Sequence, residues 1–349
     1  MAKLSTHRDQ KHIKRKKFEK LATTTASNDN DDDRCRKKTS RQFRDRNSVT
    51  DYVEYSDVNS PRSIWRRQIV LKLTTALALI FSVYLFQWYK ETQDHSEPNF
   101  VMTKSNELIL HSPIGMVLNC SKDYDEDRNK FKACVPKQCG RFVSDSIITK
   151  NEALEMRLLA ESIFRLVNPS GGVAIFDIIS GAISNQSRFI NIYKIYQNRL
   201  DELMRPKSLR IFRSLKQKII ENIALHFGIQ ASKIYLTSPT FFSKIDSKPD
   251  QTLNDQYWHP HIDKTTYGSF TYTSLLYLAT YNEEFNGGRF VFIDRNQNIT
   301  VEPRFGRMLF FSAGSENNHM VEKVSKGSRY ALTIPFTCDE NKKARLPNE

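Results

Sequence analysis

The chain has 349 residues, an apolar fraction of 39% and a formal net charge of +14, which leaves room for one or two domains. The charge is uneven: residues 1–67 hold 18 Lys or Arg against 10 Asp or Glu, and the rest hold 35 against 29. A basic globular domain is therefore not needed to explain the charge, because +8 of the +14 belongs to the N-terminal tail.

Residues 1–68 are polar and include Lys14-Arg15-Lys16-Lys17, Asp31-Asp32-Asp33 and Arg36-Lys37-Lys38. They offer too little apolar surface to fold, so a disordered tail is expected. Basic clusters also mark nuclear-import and nucleic-acid segments, but the next segment favours a cytoplasmic tail with no nucleic-acid partner. Ile69 to Tyr89 contains one charge, Lys72. Roughly 20 apolar residues cross a ~30 Å hydrocarbon core as a helix, and Lys72 sits near one end, where it can snorkel. Trp65, Tyr84, Trp88 and Tyr89 suit the two interfaces, and Arg62, Arg66 and Arg67 put the N-terminus in the cytoplasm. The span begins too far along the chain for a cleaved signal peptide. A buried core helix is the competing reading, but no apolar partner helices flank the segment.

This topology is that of a single-pass type II membrane protein, its C-terminal part in the lumen of the endoplasmic reticulum or Golgi. Three N-x-S/T sequons, at Asn119, Asn185 and Asn298, all follow the span, as glycosylation requires. So do Cys120, Cys134, Cys139 and Cys338. Four cysteines in an oxidising compartment suggest two disulfides, with three possible connectivities. Cys35 is left as a cytosolic thiol. Zinc is disfavoured, because no paired C-x-x-C occurs.

Residues 90–148 read as a polar linker followed by an irregular, cysteine-containing region. Residues 149–229 read as a helical support region. Thr149-Lys150-Asn151-Glu152 fits a capping box and opens a helix with Leu154, Leu158, Leu159, Ile163 and Leu166 on one face. A second helix is expected from about Ser208 to Phe227. It would bury Leu209, Phe212, Leu215, Ile219 and Ile223 and stop at Gly228. Residues 230–340 change character. Strands are expected near 234–243, 256–263, 270–280, 289–293, 298–302, 307–312, 319–324 and 328–337, the pattern of a sandwich or jelly roll. Asn286-Gly287-Gly288 reads as a tight turn, and Gly306 and Gly327 as turn glycines before strands.

The chemistry concentrates in this last region. In a strand, residues two apart share a face about 6.6 Å apart, and residues four apart lie about 13 Å apart. If 256–263 is extended, His261 and Asp263 can share one metal, and His259 cannot join Asp263. A distant His319 completes two histidines and one carboxylate, a set that leaves positions open on Fe(II). Arg329 lies in the apolar strand Ser-Arg-Tyr-Ala-Leu-Thr-Ile-Pro-Phe, where an unpaired charge is costly, so an anionic partner is expected.

With these residues in place, the stretch from about 230 to 338 resembles the catalytic domain of 2-oxoglutarate- and Fe(II)-dependent oxygenases of the prolyl 4-hydroxylase α-subunit type. The likeness rests on His261-Ile262-Asp263, Leu276-Tyr277-Leu278, Gly287-Gly288-Arg289-Phe290, Pro303-Arg304-Phe305-Gly306, His319-Met320-Val321 and Arg329-Tyr330-Ala331-Leu332-Thr333. It implies a mainly β fold with flanking helices, a double-stranded β-helix behind the transmembrane anchor. It also implies Fe(II) on His261, Asp263 and His319, 2-oxoglutarate on Arg329 and Tyr277, and ascorbate as a reductant. Thr333 shares Arg329's strand face and is expected to line the same pocket; Tyr277 alternatively reads as a core tyrosine. The expected reaction hydroxylates a C–H bond of a lumenal protein or peptide, with succinate and CO2 as co-products. Pro335 stands where many prolyl hydroxylases have tryptophan, which weakens the case for a prolyl substrate.

Two other classes fit parts of the chain. A type II glycosyltransferase would use a D-x-D, and Asp125-Glu126-Asp127 offers one, although it also reads as an acidic loop in a charged run. A non-catalytic lumenal binding module on the oxygenase fold is the second, and the complete triad argues against it.

Overall fold

The computed structural model describes residues 61–93, 100–169, 171–185, 188–250 and 256–347. Of the disordered tail expected over 1–68, residues 1–60, with the charge clusters and Cys35, lie outside the described residues, as do linker residues 94–99; residues 61–68 are helical, not disordered. By internal contacts the chain divides into Met1–Thr75 and Ala76–Glu349. Helix α1, Pro61–Gln93, runs across that division. Its stretch Ile64–Trp88 is 25 residues long and apolar enough to cross a membrane, with a length of about 37 Å at 1.5 Å per residue. Leu77, Leu79, Ile80, Phe81 and Phe86 are each at least 61% exposed, unlike the side chains of a buried core helix.

Among the described residues of the second unit, two sheets form. The large sheet runs in the order β2 (Ile114–Leu118), β3 (Cys139–Ser144), β13 (Met308–Ser312), β9 (Tyr272–Tyr277), β15 (Val324–Thr337), β8 (Phe241–Asp246), β4 (Val173–Asp177), β5 (Ala182–Asn185) and β6 (Arg188–Asn191). β7 (Tyr235–Leu236) and β10 (Phe285–Gly287) also pair with β15. The small sheet is β1 (Phe100–Thr103), β12 (Ile299–Val301), β11 (Phe290–Phe292) and β14 (His319–Val321). His261 adds a one-residue antiparallel bridge to His319. With that bridge counted, the chain from β8 onward crosses between two four-stranded antiparallel layers, β8-β15-β9-β13 and His261-β14-β11-β12, with the consecutive strands β11 and β12 paired within the second. This is the strand order of a jelly roll.

Side-chain alternation divides the large sheet into two faces. Leu275 and Tyr277 of β9, Leu309 and Phe311 of β13, and Ala331 of β15 pack with Phe290, Phe292, Ile299 and Val301 of the small sheet. The opposite face, with Tyr272, Leu276, Phe310, Leu332, Ile334 and Phe336, belongs to a second core that includes helix residues Met156, Leu159, Phe212, Leu215 and Ile219. The helices are α3 (Lys150–Val167) and α6 (Pro206–Phe227). Thr149 and Glu152 form the expected capping box. Gly228, in the left-handed region, ends α6, whose five expected core residues are all buried. The shorter helices are α2 (Asp125–Lys130), α4 (Ile192–Ile195), α5 (Leu200–Met204) and α7 (Asp263–Tyr267).

Several local expectations are corrected. Leu154, Leu158 and Leu166 of α3 are exposed, and the buried stripe is Ala153, Met156, Leu159, Ala160, Ile163 and Phe164. Alanine and methionine carry that stripe, and a leucine count misplaces it. Residues 256–263 form no strand: a turn leads through Pro260 to the His261 bridge, and α7 begins at Asp263. Pro260 has no N–H to extend a ladder. The region expected to be irregular contains β3, buried along its whole length between β2 and β13. Its Gly140 and Arg141 hide the strand pattern, and Arg141 is paired with Asp294 at 2.6 Å. β4, β5 and β6 were likewise unmarked in the sequence. Gly327 lies inside β15, opposite Phe285, not before a strand. A Cβ there would meet the Glu284 carbonyl oxygen at 2.1 Å, and φ is +76°.

Of the three connectivities, the protein adopts Cys120–Cys139 and Cys134–Cys338. The second bridge closes 204 residues, against 19 for the first. Replacing Cys134 and Cys338 together by Ala should therefore cost about 2–5 kcal/mol, and more than replacing Cys120 and Cys139. Urea unfolding of the two double variants checks the order.

Candidate metal centre

Asp263, the first residue of α7, is buried, and its carboxylate has two separate tasks. Oδ2 accepts a 2.6 Å hydrogen bond from the Thr273 hydroxyl on β9. Oδ1 faces Nε2 of His261 at 3.6 Å and Nε2 of His319 at 3.7 Å. One ligand atom from each of the three residues lies within 4.8 Å of the others.

Both imidazoles are set the same way. His261 Nδ1 lies 3.1 Å from the His259 carbonyl oxygen, and His319 Nδ1 lies 2.9 Å from the Asn317 carbonyl oxygen. A carbonyl accepts only from an N–H, so each Nδ1 carries the proton and each Nε2 lone pair points at the shared site. Burial pushes the His319 pKa down, against the pull of Asp263, which favours the neutral form that a metal takes. Phe290 stacks on His319 at 4.8 Å and Phe311 meets it edge-on at 5.1 Å. His261 is the open member, its side chain 35% exposed against 5% for Asp263 and His319. Two nitrogens and one oxygen converge from a bridge, a helix start and a strand, and one side stays accessible. That donor set suits Fe(II).

Among the described residues three arginines are buried, and Arg141 and Arg307 each have an acid while Arg329 does not. Arg307 pairs with Asp145 through Nε and Nη2, at 2.8 and 2.9 Å, and donates to the carbonyls of Lys104, Glu107 and Glu302. Arg329, 2% exposed, donates from Nε to the Gly288 carbonyl at 2.8 Å. No carboxylate among the described residues pairs with it, and its Nη2 has no hydrogen-bond partner. The Tyr277 hydroxyl is also buried without a partner, and the Arg329 guanidinium lies 5.5 Å from the Tyr277 ring. Burial lowers the Arg329 pKa and raises that of Tyr277. Leaving two such donors buried and unpaired is expensive, and a ligand carboxylate would satisfy both. Thr333 is buried in register with Leu275, on the strand face that it shares with Arg329 and Ala331.

Sequence reasoning missed Thr273 and Asn317, which orient Asp263 and His319. Neither stands in a charge or spacing pattern, so nothing in the linear order marks them. His259 contributes its carbonyl and not its imidazole. Asp125 and Asp127 lie on the short helix α2, where they pair with Arg128 and Lys264. The surrounding large sheet is antiparallel, so the D-x-D has no nucleotide-binding parallel sheet around it. Among the sequons, Asn119 is exposed and Asn185 and Asn298 are half-buried.

Residues 250–336 match the family described as the 2OG-Fe(II) oxygenase superfamily. Over 220 residues the chain is 52% identical to 2-oxoglutarate and iron-dependent oxygenase domain-containing protein 3 of Xenopus tropicalis, an alignment covering 63% of this chain and 69% of that one. The Homo sapiens protein of the same name is 49% identical, with the same coverage. Prolyl 3-hydroxylase 2 of Homo sapiens is 28% identical over 151 residues, covering 38% of this chain and 21% of that protein. The chain belongs to the 2-oxoglutarate- and Fe(II)-dependent oxygenase superfamily. Membership implies Fe(II) and 2-oxoglutarate, and the donor set and the two unpaired buried donors fit them.

Thr273→Val keeps the shape of β9 and removes the hydrogen bond that aims Asp263. Fe(II) affinity should fall about 10–100-fold with little change in the unfolding midpoint. Anaerobic metal titration and urea unfolding of the same variant check this.

Proposed function

We propose that the protein is a membrane-anchored, lumenal dioxygenase that hydroxylates a C–H bond of a protein side chain. The observation that carries this reading is the convergence of His261, Asp263 and His319 in the same sandwich as a buried, acid-free Arg329. His261 Nε2, Asp263 Oδ1 and His319 Nε2 hold the metal. Arg329 takes the distal carboxylate of 2-oxoglutarate, Tyr277 donates to the same group, and Thr333 lines that end of the pocket. Phe290, Phe292 and Phe311 keep water away from His319. When bound, Fe(II) supplies the activation of O2 that couples decarboxylation of 2-oxoglutarate, to succinate and CO2, with oxidation of the substrate. Ascorbate serves as the reductant that maintains Fe(II). Residues 230–340 carry the chemistry, and 149–229 support it from the outer face of the sheet.

The placement rests on several features. α1 contains a stretch long and apolar enough to span the bilayer, and Arg62, Arg66 and Arg67 precede the run Ile69–Tyr89 within it. Both disulfides and all three sequons follow it, as expected on the lumenal side of the endoplasmic reticulum or Golgi. Among relatives, the name prolyl 3-hydroxylase makes a prolyl side chain one candidate substrate, and Pro335 on β15 argues for testing lysyl peptides beside it.

Succinate formation from 2-oxoglutarate by the purified protein with Fe(II), ascorbate and lumenal peptides tests the reaction. Metal and 2-oxoglutarate binding without turnover on any peptide would instead favour a binding module. His261→Ala and His319→Ala should each abolish Fe(II) binding. Arg329→Ala should leave Fe(II) binding intact and weaken 2-oxoglutarate binding about 100-fold, from the loss of about 3 kcal/mol of charge-assisted hydrogen bonding; calorimetry against both ligands separates the two effects. For topology, protein from secretory cells should shift in mobility on deglycosylation, and Asn119→Gln should shrink that shift.

A further inference from the structure

The segment closed by Cys120–Cys139 touches both parts of the chain that bring ligands to the metal centre. On one side it holds residues 312–317, which lead into His319. The Asp123 carboxylate accepts from the Ser315 backbone N–H at 2.6 Å and from the Ser315 hydroxyl. The fully buried Tyr124 hydroxyl accepts from the Gly314 N–H at 2.8 Å, and the Ser121 N–H donates to Glu316 at 3.2 Å. Next to Cys139, the Gly140 carbonyl accepts from the Asn317 side-chain amide at 3.2 Å. Asn317 is the residue whose own carbonyl holds His319 Nδ1. On the other side Asp127 pairs with Lys264 at 2.5 Å, one residue after Asp263. The Lys264 N–H in turn donates to the Ala313 carbonyl at 2.9 Å, joining the two ligand segments to each other.

We infer that the Cys120–Cys139 loop is a positioning element of the metal centre: Asp123, Tyr124 and Asp127 fix the segments carrying His319 and Asp263, so metal affinity depends on that loop. The inference rests on the metal-site reading above. None of these side chains touches the metal position; they act through Gly314, Ser315 and Lys264. A loop that only stabilised the fold would bind the lip of the sandwich anywhere. The far end of this one is anchored elsewhere, its Ala133 and Cys134 carbonyls accepting from the Gln230 N–H and the Tyr272 hydroxyl, but Ser121, Asp123, Tyr124 and Asp127 reach the two segments that must stay in register for three ligand atoms to converge. The disulfide ties Cys120, just before Asp123 and Tyr124, to Cys139, beside Gly140, and with Cys134 held separately to Cys338 it is the N-terminal part of the loop that opening it would release.

The test uses the purified full chain in detergent, with Fe(II) affinity from anaerobic titration and the visible bands of bound Co(II) as a probe of ligand geometry. Asp123→Ala and the Cys120→Ser/Cys139→Ser pair should each lower Fe(II) affinity about tenfold or more, the range for losing support behind a metal ligand, and should change the Co(II) spectrum. Asp123→Asn, which keeps an acceptor for Ser315, should restore most of the affinity. Fe(II) affinity within about twofold of the parent and an unchanged Co(II) spectrum in Asp123→Ala would overturn the inference, whether or not the cysteine pair folds. A parent protein that binds no Fe(II) would overturn the metal-site reading itself, a separate result.

Discussion

Asp263 is a buried carboxylate whose two oxygens face different ways, and the rest of the site is arranged around that division. Thr273 occupies Oδ2, so Oδ1 is left for the two imidazoles. A carboxylate free to rotate would present either oxygen, and neither histidine would have a fixed neighbour. The requirement places constraints on three parts of the chain. α7 must begin at Asp263, β9 must turn Thr273 inward, and the His261–His319 bridge must bring the rings together at 4.3 Å.

The sandwich meets those constraints through alternation. On β9, Thr273, Leu275 and Tyr277 share the inner face, and Tyr272, Ser274 and Leu276 take the outer one. On β15, Arg329, Ala331 and Thr333 face inward, while Tyr330, Leu332 and Ile334 face the helices. A slip of one residue in either strand would exchange the faces, sending Arg329 and Thr273 to the wrong side together. The outer core, tied to α3 and α6, is what holds that register. The helices thus support the chemistry without contributing to it. The buried arginines differ in their partners: Arg141 pairs with Asp294, Arg307 is saturated by Asp145 and backbone carbonyls, and Arg329 keeps an unpaired Nη2.

Much of this was legible in the linear order. The triad, Arg329, Tyr277 and the strands of 270–337 were readable because the motifs carrying them are charged or aromatic residues set in apolar runs. His261 and Asp263 come together by a different geometry from the strand spacing expected of them. The segment is not a strand, and the two side chains converge because a bridge residue is followed by a helix start. β3 was invisible because Gly140 and Arg141 break its apolar pattern, although its neighbours bury every residue of it. Thr273 and Asn317 were invisible for a different reason: they act on residues 10 positions away and 2 positions away through single hydrogen bonds, which leave no periodicity.

The sequence by itself determined the elements whose signal is local. These are an apolar helix long enough for a membrane, a capped α3, an α6 ended by glycine, and a set of ligand types suited to Fe(II). It also limited the disulfides to three pairings. Tertiary structure alone decided which pairing forms, which oxygen of Asp263 faces the histidines, and which buried arginine is left without an acid. Those outcomes depend on contacts between residues up to 204 positions apart, where sequence spacing carries no geometric information and only the packing of the two sheets sets the distance.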